Sequence, residues 1–139
     1  MKGWQIIPAI AEEASGSIYS VIGLCRGLAE NGVDVRLHVL SPVPQLSGDF
    51  KDVTYHRHTF PHPRFGRSPE MLDGLYAEGM AADILHNNSL WMFPNAYADW
   101  AIRKMRRNGR VKFPKVVNAP RGTLARWNLE HSKWRKKTI

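Results

Sequence analysis

A chain of 139 residues, 43% hydrophobic and 23% charged, is long enough for one domain with a buried core and is ordinary in composition for a globular protein. The single Cys25 excludes an internal disulfide and a cysteine-rich zinc site, and no apolar run has the length of a membrane span or the pattern of a signal peptide, so a cytoplasmic setting is expected. The net charge of +8 is uneven, with 7 Lys and Arg against 11 Asp and Glu up to Trp100 and 13 against 1 from Ala101 onward; that basic face can meet nucleic acid, anionic lipid headgroups or a phosphorylated substrate.

In chain order, Trp4 to Ile10 reads as a first strand with Ile6 and Ile7 at its centre, ending near Pro8. From Ser17 on, Ile18, Val21, Ile22, Cys25, Leu28 and Ala29 share one helical face, and Asn31-Gly32 supplies the stop. Val33, Val35, Leu37 and Val39 alternate with Asp34, Arg36 and His38, the pattern of a strand buried mainly on one face. Val43 to Asp52 is punctuated as a loop, Val53 to Thr59 reads as a strand, and the Pro-, Gly- and Arg-rich run from Phe60 to Pro69 as an exposed loop. Pro69 to Met80 predicts a helix with Met71, Leu72, Leu75 and Tyr76 inward. Ile84 and Leu85 form a short apolar strand that ends in the polar cluster His86, Asn87, Asn88 and Ser89. Pro94 then opens a helix through Asn108, with Tyr97, Trp100, Ala101 and Met105 at helical spacing. Lys115 to Ala119 predicts the last strand, with a basic amphipathic helix from Thr123 onward. Strands alternating with helices argue an α/β fold: a doubly wound, mostly parallel, Rossmann-like sheet with helices on both faces, in which Ile6, Ile7, Val35, Leu37, Ile84, Leu85, Val116 and Val117 are buried.

In such sheets ligands bind outside the carboxyl ends of the strands, and that rule directs the search for a site. The turn Ser15-Gly16-Ser17 offers free backbone N–H groups and a helix dipole to an anion such as a diphosphate, or simply caps the helix; it has no G-x-G-x-x-G or Walker pattern. His86 is a ligand-binding or proton-handling residue, or else a satisfied loop histidine. With Asn87, Asn88 and Trp91 it offers amides and an aromatic plane suited to a polar ligand with an apolar face, sugars included. His56, His58 and His62 invite a metal, but no Cys or Glu completes the set, and alternation on an exposed strand accounts for them better. Arg121, between Pro120 and Gly122, either reaches the same crevice to hold a phosphate or carboxylate or is a surface arginine in a turn. In the last helix Leu124, Trp127 and Trp134 form an apolar stripe among Arg126, Lys133, Arg135, Lys136 and Lys137, a solvated basic face or a membrane-surface one.

Four stretches carry a resemblance, three of them being Ser15-Gly16-Ser17 before the first helix, Asn31-Gly32-Val33-Asp34-Val35 into the second strand, and Asp83 through Trp91. The most specific is Ala119-Pro120-Arg121-Gly122-Thr123-Leu124 followed by Trp127 and Ser132-Lys133-Trp134-Arg135-Lys136-Lys137. Over nearly its whole length the chain resembles the amino-terminal, acceptor-side half of a GT-B glycosyltransferase of the group 1 family, retaining enzymes of polysaccharide and lipopolysaccharide assembly. The resemblance implies hexosyl transfer from a nucleotide sugar to a glycan or lipid-linked acceptor, with no cofactor and no metal. It assigns His86 as catalytic, Ser15, Gly16, Ser17 and Arg121 to the donor phosphates, and Asn87, Asn88, Trp91 and Gly122 to the acceptor. Residues 1–139 are then expected to be one domain without the family's donor domain, inactive alone, with an anionic membrane surface as a further partner and nucleic acid not expected. The alternative classes are a basic nucleic-acid- or anion-binding α/β module without catalysis and a nucleotide-binding oxidoreductase domain, whose glycine fingerprint the first turn lacks.

Overall fold

The structure is a computed structural model that describes residues 1–8, 16–40, 53–56, 65–90, 92–122 and 124–126, with the side chains of Ser17 and Tyr55 excepted. Ser15, Trp91, His58, His62, Thr123, the loop expected over 43–52, the end of the expected strand at 57–59, residues 60–64 of the loop expected after it, and most of the basic segment lie outside the described residues.

Five strands, β1 (Lys2–Ile6), β2 (Asp34–Leu40), β3 (Val53–His56), β4 (Ile84–Asn88) and β5 (Lys115–Ala119), form one sheet in the order β3-β2-β1-β4-β5, and every neighbouring pair is parallel. Among the described residues three helices cover it: α1 (Ser17–Glu30), α2 (Pro69–Gly79) and α3 (Phe93–Arg107). This is the doubly wound, Rossmann-like arrangement that the alternation of strand and helix patterns predicts.

Two apolar cores separate the faces. Ile18, Val21, Ile22 and Cys25 of α1 pack on Ile7, Val35, Leu37 and Val39; Met71 and Leu75 of α2 with Tyr97, Ala98, Ala101 and Met105 of α3 pack on Trp4, Ile6, Leu40 and Leu85. Since successive strand residues point to opposite faces, Gln5, His86, Asn88 and Val117 lie on the α1 side of the sheet. Among the described residues no helix is long and apolar enough to cross a membrane.

Four expectations need correction. β4 does not stop at Leu85 but runs through Asn88, because β1 and β5 on either side supply ladder partners for the polar residues as well. Val117 is 44% exposed and Ile84 and Val116 only partly buried, because β5 is an edge strand and α1 does not extend over it. Trp100 is 41% exposed, its position on α3 being rotated outward from Tyr97, Ala101 and Met105.

The fourth concerns histidines. His38 and His56 are both buried, not displayed on exposed strand faces, because α2 covers that side of β2 and β3. Their rings stack at 5.3 Å with His38 Nδ1 3.0 Å from His56 Nε2, and a Cβ on Gly74 of α2 would stand 2.9 Å from His56 Cε1. His38 Nε2 is buried with no partner among the described residues. A bare lone pair is the less costly atom to orphan there, so the Nδ1–H of His38 donates to His56 Nε2.

Burial, then His56 and Arg36, push His38 down to about 3; burial also lowers His56, against the opposing charges of Glu70 and Glu78. A proton therefore binds the unfolded imidazoles below their ordinary value of 6.5, whereas folded His38 takes one only near 3 and folded His56 only below its ordinary value. Stability is complete above that value and is lost as pH falls through it, by up to about 1.4 kcal/mol per unit for each imidazole. Urea denaturation midpoints should drop steeply between neutral and mildly acidic pH, and a His38→Phe/His56→Leu double variant should flatten that slope.

Candidate functional site

The strand order turns at β1: β2 and β3 lie on one side of it, β4 and β5 on the other. In doubly wound sheets ligands bind at the carboxyl edge where the strand order turns, which here is at the ends of β1 and β4.

Asn88, at the end of β4, is fully buried. Its Nδ2 lies 3.1 Å from Gln5 Oε1, 3.4 Å from the Ile6 carbonyl and 3.2 Å from the His86 carbonyl. With acceptors gathered on the nitrogen, the amide is oriented so that Oδ1 faces β5. There it accepts from Arg121 Nε at 3.0 Å and Nη2 at 2.8 Å.

Arg121 adopts φ 50° and Gly122 φ 78°, so the turn after β5 is left-handed at two successive residues. A side chain in that region costs on the order of 1 kcal/mol, which glycine avoids and arginine does not. The two hydrogen bonds to Asn88 offset that strain and fold the guanidinium back over β4. Ser89, also left-handed at φ 80°, closes the strand end with its N–H on the Ala119 carbonyl at 2.9 Å.

His86 lies inside β4, between Gln5 of β1 and Val117 of β5, on the sheet face that α1 leaves open. Its ring is partly buried. Burial, and secondarily the positive charge of Arg121, hold the imidazole below its ordinary value, so it is neutral near pH 7 and has one lone pair and one N–H to offer. The same guanidinium acts on Cys25 of α1, but burial wins and pushes that thiol up to about 12, which removes it as a nucleophile.

Gly16 is exposed at the start of α1; Ser20 bonds back to its carbonyl, and among the described residues no side chain caps the helix and a Cβ added at Gly16 would meet nothing within 4 Å. A helix start of this kind carries the positive end of the helix dipole. Gly122 is exposed beside Arg121.

Asn87 and Asn88 are buried inside the protein, and their amides bond to the chain itself. Asn87 points to the α3 side, where its Nδ2 donates to the Asn95 carbonyl and to Asn118 Oδ1 at 3.0 Å. Asn95 answers with Nδ2 on the Asn88 carbonyl at 3.1 Å, while its Oδ1 accepts the Met92 N–H at 3.1 Å and caps α3. The two amides of β4 therefore hold up the site from behind. Gln5 belongs to the same network and was not singled out by pattern; a polar residue between Trp4 and Ile6 in a strand buried on both faces was the available signal.

The carboxyl edge thus brings together a neutral imidazole and a positioned guanidinium. That set can bind an oxyanion and accept or donate one proton. Comparison with protein-family models and with curated proteins finds no match to this chain.

Asn88→Leu keeps the volume but leaves Gln5 unanswered and Arg121 without its acceptor. It should destabilise the fold by about 2 kcal/mol, read as a shift in urea midpoint at unchanged slope, whereas Arg121→Gln should cost less than half of that.

Proposed function

We propose that the chain is the acceptor-side half of a retaining glycosyltransferase, transferring a hexosyl group from a nucleotide sugar to a glycan or lipid-linked acceptor. One observation carries the reading: Asn88 holds Arg121 in a left-handed turn beside His86, at the carboxyl edge where strand order turns. When the bond from the sugar to the diphosphate oxygen breaks, the nucleoside diphosphate leaves as an anion, and fixed positive charge with N–H donors can stabilise it without a metal.

In this reading Arg121 and the N–H groups at Gly16, Ser17 and Gly122 face the phosphates, with Ser15 beside them in the turn. His86 lines the place of transfer, where a neutral imidazole can accept a hydroxyl hydrogen bond from the sugar, and Trp91 stacks on the acceptor. Asn87 and Asn88 act behind the surface as positioning residues. The reading keeps the protein in a reducing, cytoplasmic compartment, which the lone buried Cys25 suits.

Amide chemical shifts of the chain, titrated separately with pyrophosphate, a nucleoside diphosphate and short glycans, test the reading. Phosphates should move Gly16, Ser89, Arg121 and Gly122, glycans should move His86 and Trp91, and Arg121→Gln should erase the phosphate response while the fold stays intact. Weak binding is expected, since the resemblance assigns most donor contacts to another domain. Phosphate response without any glycan response would favour an anion-binding module instead, and silence of the whole carboxyl edge would overturn both.

A further inference from the structure

On the face of the sheet opposite His86, α2 and α3 pack side by side and run in the same direction. The Tyr97 hydroxyl accepts the Ser68 N–H at their starts, Lys104 Nζ meets Asp73 at 3.0 Å midway, and Asn108 Nδ2 donates to the Tyr76 hydroxyl at 2.7 Å towards their ends. Two features of their outer surface are required neither by the fold nor by the candidate site. Phe93 and Trp100 of α3 are 38% and 41% exposed and meet edge to face with centroids 6.1 Å apart. Charge is also sorted between the helices: α2 carries Glu70, Asp73 and Glu78 with no Lys or Arg, whereas α3 carries Arg103, Lys104, Arg106 and Arg107 against Asp99 alone.

Contacts within one chain account for part of this and not the whole. Lys104 pairs with Asp73, Glu78 pairs with Arg36 of β2 at 2.9 Å, Arg106 lies over Phe113 at 4.6 Å, and cations in the last turn complement the helix dipole. The Asp73 side chain nevertheless stays 69% exposed, and Arg103 and Arg107 are exposed and in no ion pair among the described residues. Trp100 stands one turn before Lys104, whose ammonium lies over the Tyr76 ring at 4.4 Å, so the indole is on the flank of α3 that leans towards α2. The ring of Tyr97 holds it from behind at 5.6 Å. The aromatic pair is therefore a rigid ledge beside the α2–α3 seam, with little left to lose in ordering.

We propose that the outer surface of α2 and α3 is the contact between two copies of this chain, related by a twofold axis that runs along the helices. Such an axis lays α2 of each copy over α3 of the other and keeps every residue at its own height. Trp100 then faces its own copy beside the axis, and Asp73, which is level with Lys104 in its own chain, comes level with Arg103 and within a turn of Arg107 of the second copy. A twofold axis across the helices would instead set α3 on α3 and cation on cation, so the sorting of charge selects the first arrangement. Each acid–base pair is weak at a surface; the aromatic ledges, present twice, supply the apolar centre, and the charges fix the register. The proposal does not depend on what the carboxyl edge binds.

Sedimentation velocity over a series of chain concentrations tests it. The chain should pass from monomer to dimer as concentration rises, and should associate less at high salt. Trp100→Glu and, separately, Arg103→Glu/Arg107→Glu and Asp73→Arg/Ala77→Arg should each weaken dimerisation by about tenfold or more. All five positions are exposed, so thermal unfolding should change little; if Trp100→Glu destabilises the chain, the two charge variants decide. An equimolar mixture of those two variants should form a heterodimer, since both of its α2–α3 contacts again join opposite charges. A wild-type chain that stays monomeric at high concentration overturns the proposal, whatever acidic peptide or anionic vesicle the same stripe then takes up. So does a dimer that both charge variants leave undiminished, or a mixture of the two that stays monomeric.

Discussion

The Asn88 carboxamide has no freedom to be turned over. Three acceptors surround its nitrogen and two donors of one guanidinium surround its oxygen, so a reversal would set oxygen against oxygen and N–H against N–H. That single amide ties β1, β4 and the turn after β5 together at the one place where a doubly wound sheet is open. Everything at the carboxyl edge inherits its geometry from there: the left-handed Arg121, the charge felt by His86, and the spacing between β4 and α1.

Behind it, a second set of amides does for the helix layer what Asn88 does for the sheet. Asn87, Asn95 and Asn118 interlock on the α3 side and fix the start of that helix against β4 and β5. Adjacent residues of one strand thus serve opposite faces, each fully provided with partners. This is how two asparagines in succession can sit in the middle of a buried sheet without the usual penalty for desolvating them.

The fold is legible in the sequence where apolar period and punctuation agree. The Val33 to Val39 alternation, the stripe from Ile18 to Leu28 and the Pro69 start each describe an element and its burial together. The failures share one cause, which is that a polar side chain's partner is invisible until the chain is folded. His38 reads as a solvent residue because nothing in β2 announces His56, and His86 to Asn88 read as a loop because their acceptors are on β1 and β5. Trp100 errs the other way: an aromatic at roughly helical spacing counts as core unless its angle around the axis is checked against Ala101 and Met105. For the site, position at a strand end led to His86 and Arg121, but nothing in the sequence shows that Asn88 connects them.

Every strand pair in this sheet is parallel, so no two strands meet through a hairpin, and β1 finds β4 only after about eighty residues have been threaded between them. Chain closure over that span must precede the contacts that reward it. β4 has little of its own to nucleate with, since three of its five residues are His or Asn and each depends on neighbours from other segments. The β2–α1–β1 unit has no such dependence, being held by aliphatic residues close in sequence. Assembly of the molecule is therefore ordered in time, with the α1 side condensing first and the strand that carries the crevice locking in last.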